Sequence, residues 1–134
     1  MVINRPLSVC TSDAQALSAL FAIHAPEANL VLDCSWGKGG IWKGLEPSFK
    51  LIRSDVDAYG QPDLLADYHR LPFLPDTFDA LVWDPPHLED VGKNAIMATY
   101  NRHATFSVSS SAPMFIPQAR RVLKLGGLLL VKVA

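Results

Sequence analysis

Cysteine is scarce in this sequence, basic charge is not in excess, and no apolar run is long. Two cysteines, Cys10 and Cys34, in 134 residues make neither a disulfide framework nor a metal cluster. Both sit among apolar or small neighbours, as core or turn residues do. Twelve Lys and Arg against thirteen Asp and Glu leave a net charge of −1. That excludes the strongly basic footprint of a domain that grips duplex nucleic acid unaided. No run approaches the roughly 18 apolar residues of a membrane span. The opening "MVINRPLSVC" lacks the apolar core of a secretory signal. Together these absences point to a soluble, reduced, cytoplasmic protein with no membrane partner.

What is present is a globular composition, 49% apolar and 19% charged, too apolar for a disordered chain. The length suggests a single domain over residues 1–134, long enough to bury a core without staples. There is no fixed-period repeat, and the only biased tract is "SVSSSAP" at Ser107–Pro113.

The organisation is an alternation of helical and strand patterns. "TSDAQALSALFAIHAP" reads as a helix: Ser12 and Gln15 fit a capping box, and Leu17, Leu20, Phe21 and His24 share a stripe. Pro26 ends it. "NLVLD" (29–33), "FKLIRSD" (49–55) and "FDALVWD" (78–84) read as buried strands. "PDLLADYHRLPF" (62–73) is a loop with a weak strand inside it. "APMFIPQARRVL" (112–123) is a helix in which Pro117 either strains the middle or marks the true start. "LGGLLLVKVA" (125–134) is a turn and a last strand. Apolar strands alternating with helices predict an α/β fold, a doubly wound and mainly parallel sheet.

Three of those strands close on aspartate: Asp33, Asp55 and Asp84. Ligands of open parallel sheets bind at the carboxyl ends of the strands, so three carboxylates fall on the edge where a ligand would lie. Any one of them alone would serve as a helix N-cap. The turn "DCSWGKGGIW" after Asp33 fails the dinucleotide fingerprint, because Trp42 stands where the third glycine should be. It also fails as a P-loop, because no Gly-Lys-Ser/Thr follows. Lys38 then reads as a solvated loop residue.

The spacing of Asp33, Gly37 and Gly39 resembles the first motif of the class I S-adenosylmethionine-dependent methyltransferases. In those enzymes a strand ends in an acid, with glycines four and six residues on. Asp55 stands where the family grips the ribose hydroxyls, and Asp67 in "LLADYHRLPF" where a polar group faces the adenine amino group. "LPDTFDALVWDPPHL" resembles the family's LPF…FD…DPP run. The resemblance spans Leu30 to Val133. It implies S-adenosylmethionine as cofactor, held by Asp33, Cys34, Ser35, Trp36, Gly37, Gly39, Asp55, Val56, Asp57, Asp67 and Tyr68. It also implies a sheet of order 3-2-1-4-5 in this chain, lacking the family's last two strands.

Within that family Asp-Pro-Pro-aromatic belongs to enzymes that methylate planar or exocyclic nitrogens, adenine N6 or cytosine N4 in DNA, or guanine N2 or adenine N6 in RNA. An aryl amine is a poor nucleophile because its lone pair is delocalised into the ring. Two acceptors aimed at the amino hydrogens pull the nitrogen toward tetrahedral geometry. The resemblance gives those roles to the Asp84 carboxylate and the Pro85 carbonyl, with Pro85 and Pro86 fixing the backbone. His87 occupies the place of the usual stacking Tyr, Phe or Trp, and a histidine stacks with less area. Trp36 and Trp83 read as packing residues, although Trp36 lies in the cofactor turn, within reach of the ligand.

The expected function is therefore N-methyl transfer to a nucleobase amino group in a DNA or RNA partner. Small-molecule methyl transfer, or a cofactor-binding interaction module without turnover, are the alternatives. Glu89–Ser111 reads either as a mobile substrate loop or as a solvated helix and loop. A sheet ending on an uncovered apolar edge strand predicts a homodimer, a partner chain or a shortened chain.

Overall fold

A computed structural model gives the structure of residues 9–85 and 108–133. Pro86, His87 and the segment from Glu89 up to Ser107 lie outside the described residues. The sheet has five strands: β1 (Leu30–Asp33), β2 (Lys50–Asp55), β3 (Leu64–Leu65), β4 (Phe78–Trp83) and β5 (Leu123–Val131). Their spatial order is β3-β2-β1-β4-β5 and every pairing is parallel. This is the expected α/β architecture with the expected strand order, and the sheet is wholly rather than mainly parallel. No strand pairs with the outer edge of β5 among the described residues.

The central strands are apolar because both their faces are covered. Val31 and Leu32 of β1 are fully buried on opposite faces, the pattern of a parallel strand in the middle of a sandwich. On one face Leu32, Leu81 and Trp83 pack against Phe115, Ala119 and Val122 of α2 (Val108–Val122). On the other, Val31, Ala80 and Val82 pack against Leu17 and Phe21 of α1 (Asp13–His24), with Trp42 beside them.

The Ser12 hydroxyl caps α1 by accepting from the Gln15 amide at 3.1 Å. The other half of the expected capping box differs. The Gln15 side chain accepts from Thr11, through the amide at 2.7 Å and the hydroxyl at 3.0 Å, one residue outside the cap. Of the expected stripe only Leu17 and Phe21 are buried, while Leu20 lines a surface cleft and His24 is exposed.

Helix α2 begins at Val108, four residues ahead of the expected start, and contains both Pro113 and Pro117. It buries Ser111, Phe115, Ala119 and Val122 on one stripe, while both prolines are exposed. Water can therefore serve the carbonyls that a missing proline N–H leaves over. The last strand also starts earlier than the sequence suggests. It follows α2 directly at Leu123, and the expected Leu125–Gly127 turn is an irregularity within its pairing to β4, with Gly126 at φ +77°. The extra residues bulge outward and leave Leu125 fully exposed.

Among the described residues no helix is long and apolar enough to cross a membrane, and no group of three or more His, Cys, Asp or Glu could hold a metal ion. Cys10 and Cys34 are not joined in a disulfide, and burial pushes the Cys34 thiol pKa well up.

Candidate functional site

The carboxyl ends of β1, β2 and β4 meet at one edge, and the turn after β1 is sewn to the strand beside it. The Cys34 amide donates to the Val82 carbonyl at 3.2 Å. The Ser35 hydroxyl accepts from the Asp84 amide at 2.7 Å and lies 3.3 Å from the Asp33 carboxylate, to which it donates. One small side chain thus holds the end of β4 against the end of β1.

Asp33 itself faces inward. Only 1% of it is exposed. One oxygen accepts from the Ser35 amide at 2.9 Å and the other from the Trp42 indole at 2.7 Å. Burial nevertheless outweighs these donors and raises its pKa to about 6, with Asp84 adding repulsion. Asp33, expected to help hold the cofactor, makes these hydrogen bonds within the turn itself.

Gly37 and Gly39 both have positive φ, 57° and 71°, but for different ends. A Cβ at Gly37 would meet nothing within 4 Å, so its backbone borders open space. A Cβ at Gly39 would fall 2.3 Å from the Trp36 ring. The second glycine makes room for a tryptophan of the same turn. That indole donates to the Gly60 carbonyl at 2.9 Å and lies under the Arg53 guanidinium. Gly60 in turn touches Gly37, since a Cβ at Gly60 would sit 1.5 Å from the Gly37 carbonyl oxygen. Lys38 is exposed, as expected, with its ammonium over the Tyr59 ring at 4.5 Å.

Asp55 joins the same turn from β2. One oxygen accepts from the Gly37 amide at 2.7 Å and the other from the Asp57 amide at 2.9 Å. Asp57 caps the next turn by accepting from the Tyr59 amide, and Val56 between them is exposed.

Asp67 and Tyr68 come from the loop after β3. The exposed Asp67 carboxylate accepts from the His69 amide at 2.8 Å and lies 2.9 Å from His69 Nδ1. The other His69 nitrogen shares a hydrogen bond with the buried Ser111 of α2. The half-buried Tyr68 ring packs edge-on against Trp83 and Phe115, and burial raises its hydroxyl pKa. The "LPF" segment is structural: Arg121 of α2 donates to the Leu71 and Phe73 carbonyls.

The structure therefore brings Asp33, Ser35 and Asp84 together at one junction, and Gly37, Asp55 and Asp57 at a second, joined through the turn. Asp84 is half-buried and Pro85 is buried. Two residues passed over in the sequence belong to the same edge. Lys132, just past β5, donates to Asp13 at 3.0 Å and stands 4.0 Å from Asp84. The Asp13 hydrogen bond holds the Lys132 ammonium pKa above its usual value. A cation placed directly after the apolar run "LLLV", at the same edge as the three aspartates, was the available signal. No protein-family model matches the chain, and no curated protein matches it.

Proposed function

We propose that this chain is an S-adenosylmethionine-dependent N-methyltransferase, whose acceptor by sequence resemblance is the exocyclic amino group of a nucleobase in DNA or RNA. The observation that carries this reading is the Ser35 junction. It ties the Asp-Pro-Pro segment to the glycine turn, so the parts that would hold a methyl donor and a methyl acceptor share one sheet edge.

The residues present fit the cofactor in part. Gly37 presents open backbone. The Asp55 oxygens each retain a lone pair beyond the amide they accept, which suits ribose hydroxyls. Val56 offers exposed apolar surface beside them, with Tyr68 and Asp67 further along. Asp33, Cys34 and Gly39 act from behind, by shaping the turn, and Trp36 braces it against Gly60. The cofactor would supply an electrophilic methyl group on a cationic sulfur.

The chain's own residues do the rest. The Asp84 carboxylate and the Pro85 carbonyl accept the amino hydrogens and draw the acceptor nitrogen out of conjugation. Buried Pro85, with its fixed φ, holds that carbonyl in place. By the resemblance Pro86 and His87 extend this acceptor side. A second reading, with a small free amine as acceptor, is favoured by the absence of a basic excess and by the charges around Asp84.

Calorimetric titration with S-adenosylmethionine tests the assignment. Wild type should bind, while Asp55→Ala and Gly37→Val should lose binding. Asp84→Ala should keep cofactor binding and lose acceptor-dependent release of S-adenosylhomocysteine. A folded wild-type chain that binds no cofactor would overturn the reading.

A further inference from the structure

At the end of the sheet opposite the candidate site, a cleft of about 370 Å³ opens between the last turns of α1 and the segment leading into β2. Phe21 and Phe49 line it, their ring centroids 4.6 Å apart. Ala22, Ala25, Ala28 and Leu45 surround them.

Two features make this cleft negative. The first is backbone. In a continuing helix the Ala22 carbonyl would accept from the amide of residue 26, but that residue is Pro26, which has no N–H. The Ala25 amide is already given to the Phe21 carbonyl at 3.0 Å. The Ala22 carbonyl therefore has no backbone donor among the described residues, and it stands at the negative end of the α1 dipole. Ala22 and Pro26 both line the cleft. The second feature is Glu46, the one charged residue of the lining. Among the described residues its side chain takes part in no ion pair or hydrogen bond. His24, Glu27, Lys43 and Lys50, its titratable neighbours in sequence, do not line the cleft.

A carboxylate, an unserved carbonyl and two phenyl rings suit one kind of ligand, a flat apolar body carrying a cation with N–H groups to give. The rings cover the body and also attract the cation. The carbonyl accepts an N–H, and the carboxylate repels an anion. The volume lies at the low end for small-molecule sites, which suits a single ring on a short chain.

We propose that this cleft binds a small arylalkylammonium ion, with its ring against Phe21 and Phe49 and its ammonium beside Glu46 and the end of α1. The site is separate from the sheet edge assigned to methyl transfer and does not depend on that reading.

The test titrates phenethylamine, phenethyl alcohol and phenylacetate into the full chain, without cofactor, followed by methyl-resolved NMR. The amine should saturably shift the Ala22, Ala25, Ala28 and Leu45 methyl groups and leave those of Val56 and Val131, at the other end of the sheet, in place. It should bind about fivefold more tightly than the alcohol, and phenylacetate should shift none of these groups. Glu46→Gln should weaken the amine about threefold and leave the alcohol unchanged. Ala22→Trp, at an exposed position of α1, fills the cleft and should remove both. No shift of the four methyl groups at about 10 mM amine, a range where even millimolar affinity is visible, overturns the proposal. So does equal binding of amine and alcohol, or an amine affinity that Glu46→Gln leaves unchanged. The wild-type titration needs no variant, so a misfolded variant does not shelter the idea. Cofactor binding without amine binding sinks this inference alone, and amine binding without cofactor binding sinks only the proposed function.

Discussion

The two faces of the sheet are closed by different means. On one, the fifteen residues of α2 lay Ser111, Phe115, Ala119 and Val122 in a single stripe over Leu81 and Trp83, and Phe115 stacks on Trp83 at 4.2 Å. On the other, the link from β1 to β2 contains only one turn of 3₁₀ helix, Gly40–Trp42. Side-chain volume stands in for the missing helix there: Trp42 and Phe49 gather around Phe21 of α1, and Trp36 covers the neighbouring strands. A face can therefore be closed by indoles where the backbone is short, but each indole brings a nitrogen that needs an acceptor. Asp33 serves Trp42 and Gly60 serves Trp36, so the device on this face reaches into the candidate site, while packing on the other face is mostly apolar.

The largest effect should come from breaking that difference directly. Trp42→Ala should cost about 4–6 kcal/mol in urea unfolding at pH 8, a truncation loss plus a donor removed from a buried carboxylate. Phe115→Ala on the other face should cost about 3–5 kcal/mol, from packing alone. The gap between them should shrink at pH 5, where Asp33 is protonated. Equal losses at both pH values would mean that the indole nitrogen contributes nothing.

Asp33 sharpens the comparison further. Its folded pKa, about 6, lies above the ordinary 3.8. Its contribution is therefore fully present below about pH 3.8 and is lost as pH rises through 6. Wild-type stability should decline by on the order of 2–3 kcal/mol across that window. In Asp33→Asn the slope should vanish, whatever the substitution costs at fixed pH.

Smaller effects follow on each side. Pro117→Ala restores an N–H to the exposed face of α2 and should raise stability by about 1–3 kcal/mol. Ser12→Ala removes the α1 cap and should lower it by about 1 kcal/mol, read as a shift in thermal midpoint.

Much of this architecture was legible because apolar runs bounded by turn residues leave little choice. "LVLD", "KLIRSD" and "FDALVW" became β1, β2 and β4 nearly as they read, and their aspartates did arrive at one edge. What was hidden is where each carboxylate points. Asp33, Asp55 and Asp84 look alike in sequence, yet one is buried against an indole nine residues on, one holds the glycine turn, and one sits beside Lys132. Side-chain direction depends on partners brought in from other elements, and no local pattern encodes it. The start of α2 was hidden for another reason. The expected helix begins at Ala112, one residue before Pro113, yet that proline is tolerated on an exposed face whose inner stripe, Ser111 to Val122, is well packed. The Trp36 ring against Gly39 was hidden because a glycine's signal says only that something comes close, not what.

The contact between Gly37 and Gly60 has a consequence for how this chain can change over time. A methyl group at 60 would drive into the carbonyl of 37, so two positions far apart in sequence share one allowance of space. Drift at 60 is constrained by the backbone at 37, and a substitution that opens the turn after β2 reshapes the turn after β1 in the same event. In amide hydrogen exchange the Gly37 and Tyr59 amides, each held by an aspartate of that unit, should open together.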